Sequence, residues 1–218
     1  MAALFASHGI PSLALAYFDE PGLPCALSSI PLEYFVKTIR WLRSQPQVDP
    51  GRVWLEAASR GTEAELLVAA HWPALVHGVV AAVPSSVAYG TPPAQCGRPS
   101  SSSWTLNGRP LPVAPTTGAP MFNPDGSVSD RNVFLAGLAY PAAAAARIPI
   151  ERLKGAVMLI SGAEDQLWPS NVYADRIMAA LRSDPARHIH LNYPGAGHGV
   201  FSFPFLPPVM RSASRPAP

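Results

Sequence analysis

Residues 53–65 read VWLEAASRGTEAE. A short apolar run ends at Ala57-Ala58, Ser59-Arg60-Gly61 come next, and then helix-forming residues begin. Such a run, bounded by turn residues, reads as a buried strand, and the residues after Gly61 read as a helix. Ser59 stands at the junction. It is either a nucleophile held on a sharp strand-to-helix turn or an ordinary N-cap serine, which helices favour at that place.

The neighbouring segments repeat the alternation. Residues 2–8 (AALFASH) read as a helix closed by Gly9, and SLALAYF (12–18) as a buried strand. In LEYFVKTIRWLRSQ (32–45), Leu32, Phe35, Ile39 and Leu42 recur at helical spacing. GTEAELLVAAHW (61–72) reads as a helix and LVHGVVAAVP (75–84) as a strand. Further on come a strand GAVMLISG (155–162), a helix SNVYADRIMAALRS (170–183) and a strand HIHLNYPG (188–195). Strands alternating with helices predict an α/β fold with a mostly parallel sheet flanked by helices. Residues 84–147 are rich in Pro, Ser and Gly and read as a lid-like insert in a single domain spanning 1–218. Residues 199–218 read as a loose, Pro-rich tail.

Composition narrows the partners. With 48% hydrophobic and 14% charged residues in 218, the chain can bury a full core. A net charge of +2 and scattered basic residues argue against a nucleic-acid partner. Two cysteines, Cys25 and Cys96, form no metal-ligand spacing, so no metal is expected. No apolar run reaches the ~20 residues of a membrane span, and the start lacks the pattern of a signal peptide. A cytoplasmic location is the expectation.

Ligands of parallel sheets bind beyond the carboxyl ends of the strands. Three such ends carry chemistry: Ser59 after VWLEAA, Asp165 after GAVMLISG, and His198 after HIHLNYPG. A hydroxyl, a carboxylate and an imidazole in the order Ser, Asp, His are the order of the α/β-hydrolase triad. Each also has a structural reading. Ser59 could cap a helix, Asp165 could close a turn, and His198 could sit on a surface loop. The motif is also imperfect, since G-x-S-x-G stands here as A-A-S-R-G over 57–61. Glu56, in the same strand, puts a carboxylate where it needs a partner, solvent or a proton.

The stretches LFASHGIPSLALAYFDEPGLP, IPLEYFVKTIRWLRSQPQVDPGRV, SRG, SGAEDQLWPS and YPGAGH together resemble the catalytic domain shared by acyl-CoA thioesterases and bile acid-CoA:amino acid N-acyltransferases. The resemblance covers most of residues 2–198 and is weakest in the insert. It implies an α/β-hydrolase fold acting on acyl-CoA, with Ser59, Asp165 and His198 as triad and the Arg60 backbone amide as oxyanion donor. It implies no cofactor, coenzyme A being part of the substrate. Serine at 59 resembles the hydrolysing branch, because the amino-acid-conjugating members carry cysteine there.

Against the family pattern, a first core strand with its glycine-rich loop and a last helix are expected to be missing. The expected function is acyl-CoA thioester hydrolysis through an acyl-serine. An impaired fragment of the family, a carboxylic ester hydrolase and an acyl-CoA:amino acid N-acyltransferase stand as alternatives. Trp104, Met121, Phe122 and Phe134 are candidate walls of an acyl pocket.

Overall fold

The computed structural model describes residues 2–92, 95–97, 101–124 and 126–201. The first half begins with helix α1 (Ala2–Ser7), a short β1 (Ile30–Pro31) and α2 (Leu32–Arg43). It continues with β2 (Trp54–Ala58), α3 (Arg60–His71) and β3 (Gly78–Ala82). Four short strands come next: β4 (Trp104–Leu106), β5 (Arg109–Pro110), β6 (Met121–Phe122) and β7 (Val128–Ser129). The chain then runs through α4 (Arg131–Gly137), α5 (Pro141–Ala145), β8 (Ala156–Gly162), α6 (Ser170–Ala180) and β9 (His188–Tyr193).

The main sheet has the order β2-β3-β8-β9, and every pair in it is parallel. The expected α/β-hydrolase architecture, a parallel sheet flanked by helices, is therefore what the chain forms. Leu55, Ala57, Val79, Ala81, Val157 and Leu159 alternate along the strands, and Val79, Ala81, Val157 and Leu159 are buried. Every residue of α3 from Thr62 to Ala70 is buried, so this helix lies inside the molecule rather than along its surface. By contrast α2 buries Leu32, Val36 and Ile39, one face, against the same core. Gly78 is required by a close approach: a Cβ there would stand 2.4 Å from the Trp54 ring, which lies across the start of β3.

Two expectations need correction. SLALAYF (12–18) forms no strand. A strand exists through its ladder neighbour, and among the described residues this run pairs with none. Leu13 is 43% exposed, while Tyr17 and Phe18 pack against the core, the Tyr17 ring 5.2 Å from Phe35. Trp104 is not a pocket wall. It is completely buried among Tyr17, Phe35 and the α3 core, so part of the 84–147 stretch belongs to the body of the fold. Met121 and Phe122 lie on a small exposed hairpin. Of the tail, residues 198–201 form one 3₁₀ turn, and 202–218 lie outside the described residues.

The carboxylates of β2 and α3 are costly. Glu56 is half-buried, and burial raises its pKa. Glu65 is 5% exposed, and neither carboxylate oxygen has a hydrogen-bond partner among the described residues. Burial first, and then the nearby Glu56, push the Glu65 carboxyl well above its ordinary range. A carboxyl with a raised folded-state pKa favours folding below its unfolded value, and that contribution is lost as pH rises. Thermal stability should therefore fall as pH climbs above the ordinary glutamate value of about 4.5. Glu65→Leu should raise the melting temperature at pH 7.5, removing a penalty of about 1–3 kcal/mol, and should flatten that pH dependence. Calorimetry of the two proteins across pH checks this; a lower melting temperature for Glu65→Leu at pH 7.5 would contradict it.

Candidate active site

The site is built at the carboxyl ends of β2, β3 and β8 and on the turn after β9. Ser59 comes directly after β2 and has φ 54° and ψ −127°, a conformation that residues with a Cβ rarely adopt. It precedes the first residue of α3 but makes no side-chain cap bond. Its hydroxyl instead lies 3.0 Å from His198 Nε2. The N-cap reading of Ser59 therefore does not describe the structure.

The elbow is anchored from several sides. Ser59 N–H donates to the Ala82 carbonyl at 2.9 Å, tying the turn to the end of β3. Thr62 is fully buried; its hydroxyl donates to the Ser59 carbonyl at 2.7 Å and accepts from Ser85 N–H at 3.2 Å. Gly61 faces Ala57 closely: a Cβ there would lie 3.1 Å from the Ala57 Cβ. Thus alanine at 57 fits because 61 remains glycine.

Asp165 is completely buried and well partnered. Its Oδ1 accepts from Leu167 N–H at 3.0 Å and Trp168 N–H at 3.3 Å. Its Oδ2 accepts from the Ser170 hydroxyl at 2.6 Å and lies 3.0 Å from His198 Nδ1. Burial works to raise its pKa, but the bonds from His198 and Ser170 outweigh it and hold the carboxyl below its ordinary value. Asp165 is accordingly an ionised acceptor, which favours the His198 tautomer with its proton on Nδ1 and its lone pair on Nε2, facing Ser59.

The imidazole is framed on several sides. The Trp168 ring stands edge-on to His198 at 5.8 Å, and its Nε1–H donates to the Val83 carbonyl at 3.2 Å. Val83 itself has φ 44°, an outlier for a β-branched residue, at the end of β3 beside the site. Phe134 and Tyr89 pack against Trp168, so Phe134, of the four expected wall groups, is the one that stands near the triad. Gly162 lets the end of β8 approach the His198 turn: a Cβ there would meet the Ala196 carbonyl oxygen at 2.3 Å. Arg131 Nη1 donates to the Asp165 carbonyl at 3.0 Å, supporting the acid's loop from the start of α4.

All three residues expected from the strand ends thus meet in one hydrogen-bonded chain. Arg60 is the first residue of α3, so its amide has no acceptor within the helix. The sequence assigns no role to Ser170, Trp168 or Arg131, although Trp168 and Ser170 lie in the SGAEDQLWPS stretch that carries the resemblance. Ser170 and Trp168 lie within five residues of Asp165 and could have been noticed as its local partners. Arg131 offers no such signal. Of the cavities among the described residues, two of about 460 and 690 Å³ have no triad side chain in their lining. The larger is lined by Pro194–Ala196 and by Val200 and Phe201, on either side of His198 in the chain.

Among solved structures, the chain is similar to acetyl xylan esterase 1 from Thermoanaerobacterium, at 18% identity and TM-score 0.42 over 77% of this chain and 46% of that one. Curated relatives include a mouse mitochondrial protein, acyl-coenzyme A thioesterase 2, 28% identical over 91% of this chain and 41% of its own. Mouse acyl-coenzyme A amino acid N-acyltransferase 1 is 31% identical over 90% of this chain and 44% of its own. A mouse peroxisomal succinyl-coenzyme A thioesterase is 29% identical over 94% and 47%. The chain spans less than half the length of these relatives. The family model described as BAAT / acyl-CoA thioester hydrolase C terminal matches residues 30–216, and the chain belongs to that family.

Proposed function

We propose that this chain carries the acyl-transfer chemistry of an acyl-CoA thioester hydrolase, with Ser59 as nucleophile. The observation that carries the reading is the chain from the Ser59 hydroxyl through His198 to Asp165, at 3.0 Å for each link, on an elbow that leaves the serine free of any capping role. A serine hydroxyl is a poor nucleophile without a base in contact, and here the base is in contact.

In the first half-reaction, Ser59 Oγ adds to the thioester carbonyl carbon while His198 Nε2 takes the hydroxyl proton. Asp165 stabilises the resulting imidazolium and keeps its orientation. The Arg60 amide donates to the oxyanion that develops on the carbonyl oxygen. The carbon–sulfur bond then breaks, His198 Nε2 gives its proton to the departing sulfur, and coenzyme A leaves as the free thiol with His198 neutral again. In the second half-reaction, water gives a proton to His198 and attacks the acyl-serine, and the carboxylic acid departs as Ser59 recovers its proton. The sum is thioester plus water giving acid plus thiol. The relatives include an amino acid N-acyltransferase, so an amine could replace water in the second half. The serine at 59, as in the hydrolysing branch of the family, favours water.

The test is release of free coenzyme A from short, medium and long acyl-CoA, with and without added amino acid. Turnover is expected, and Ser59→Ala should lower it at least ~10³-fold. A folded protein that releases no thiol from any chain length would overturn the reading. N-acyl amino acid formed in place of free acid would move it to the transferase branch.

Two variants probe the relay itself. Asp165→Asn removes the charge behind His198 and disturbs its tautomer, and should lower kcat by about 10⁴. Ser170→Ala removes one donor to a buried carboxylate. It should cost about 1–3 kcal/mol of stability near neutral pH and raise the Asp165 pKa. Because the Asp165 pKa is depressed in the fold, its contribution to stability is present above its ordinary value of about 3.8 and fades as pH falls below it. The Ser170→Ala penalty should therefore shrink in acid, and urea melts at pH 3.5 and pH 7.5 measure that. An equal penalty at both pH values would show that Ser170 does not act through the Asp165 charge.

A further inference from the structure

Arg60 comes directly after the nucleophile, but its side chain does not face solvent as a cation beside an open site would. The guanidinium is about four-fifths shielded. Its Nη2 shares its two protons among three acceptors, the carbonyls of Tyr89 at 2.8 Å and Gly90 at 3.0 Å and the Ser103 hydroxyl at 2.5 Å. Its Nη1 donates to Glu63 Oε1 at 2.5 Å, one turn along α3. It also stands 5.6 Å above the Tyr89 ring.

Glu63 is completely buried. Its second oxygen accepts from Tyr89 N–H at 3.0 Å and from Trp104 Nε1–H at 2.7 Å. Arg60 and Glu63 thus clamp the same two stretches, 89–90 and 103–104, from the first turn of α3. The clamp is two-sided at Tyr89, whose carbonyl meets Arg60 and whose amide meets Glu63.

We propose that Glu63 is a positioning residue: through the Arg60 guanidinium it fixes the amide of the residue after the nucleophile, the donor for the oxyanion of the acyl-transfer step. This rests on the reading of Ser59 as nucleophile. Stability alone does not account for the pair. A buried ion pair is often no better for folding than apolar side chains of the same size, because desolvation offsets the attraction. Burial pushes the Glu63 carboxyl up to about 7, against the lowering by Arg60, Trp104 and the Tyr89 amide, so the fold carries a cost there. What the pair provides is geometry. The Ser59 backbone is strained at φ 54° and the Arg60 amide begins the helix, so a small rotation at 59–60 would displace a donor whose placement matters on the scale of ~0.5 Å. Charge-assisted bonds from the guanidinium to four separate acceptors oppose that rotation.

The experiment uses Glu63→Gln, which keeps the shape and one acceptor oxygen for Trp104 and Tyr89 but turns an NH2 donor towards Arg60, removing both the charge and the acceptor opposite the guanidinium. Two readouts are taken: the rate at which an alkyl fluorophosphonate phosphonylates Ser59, and kcat and KM on acyl-CoA. Melting temperature is measured alongside. The expected result is a fall of about 10- to 100-fold in phosphonylation rate and in kcat, short of or near the ~10²–10³ of losing a donor outright. KM should stay within about twofold when both proteins are assayed fully folded, although the uncompensated Arg60 charge should lower the melting temperature of Glu63→Gln. Arg60→Lys, which keeps a cation opposite Glu63 but not the fan of bonds, should fall between wild type and Glu63→Gln, and it carries the test should Glu63→Gln not fold. Wild-type rates in the variants would overturn the proposal. So would a rate loss that vanishes when variant and wild type are assayed equally far below their own melting temperatures, since that is what a purely structural pair would give. A wild-type Ser59 that does not react, in a folded protein, would overturn the nucleophile reading itself and the proposal with it.

Discussion

The site depends on one unfavourable backbone conformation. Ser59 sits at φ 54° where the chain leaves β2 and enters α3, and a residue with a Cβ does not choose that turn unaided. Three sets of bonds hold it there. The Ser59 amide is tied to Ala82, its carbonyl receives Thr62, and the next residue is clamped by Glu63 and the 89–103 stretch. The parallel neighbours β3 and β8 then bring their own ends alongside. That is why a serine, an acid and a base from positions 59, 165 and 198 can meet within hydrogen-bond reach. A helix-capping serine would have needed none of this support.

The triad is legible in the sequence because it rests on order along the chain. A hydroxyl, a carboxylate and an imidazole each stand just after a recognisable apolar run, and parallel strands place those ends on one edge. The four strands that carry the sheet are legible for the same reason. SLALAYF misleads because its apolarity is real but its hydrogen-bonding neighbour is not a property of the segment; the run has no ladder partner among the described residues. Trp104 misleads in the other direction. It lies in a Pro- and Ser-rich stretch that reads as loop, yet its indole is completely buried and bonds to Glu63, 41 residues away. Burial against a distant helix leaves no trace in local composition. Arg131 and the Arg60–Glu63 clamp are invisible for that reason too: what matters about them is which carbonyls they reach.

Two kinds of buried acid coexist in this fold, and their surroundings separate them. Asp165 is buried with Ser170, His198 and two backbone amides around it, and it stays charged. Glu65 is buried with no donor to accept from among the described residues, and it is driven towards the neutral form. Glu63 stands between them, partnered by an arginine, an indole and an amide and still pushed up to about 7. The sequence shows the three acids but not their partners, and the partners decide which one holds a charge beside the chemistry. The clamp and the relay therefore share a dependence on exclusion of water, which strengthens a satisfied charge and penalises an unsatisfied one.

The central claim is that Ser59 takes up the acyl group of a thioester. The most direct measurement is mass spectrometry of the protein quenched in acid within milliseconds of mixing with a medium-chain acyl-CoA, with peptide mapping afterwards. The expected result is an increment equal to the acyl group on the peptide containing Ser59, absent in Ser59→Ala. No adduct on that peptide while free coenzyme A accumulates, or an adduct that persists in Ser59→Ala, would contradict it.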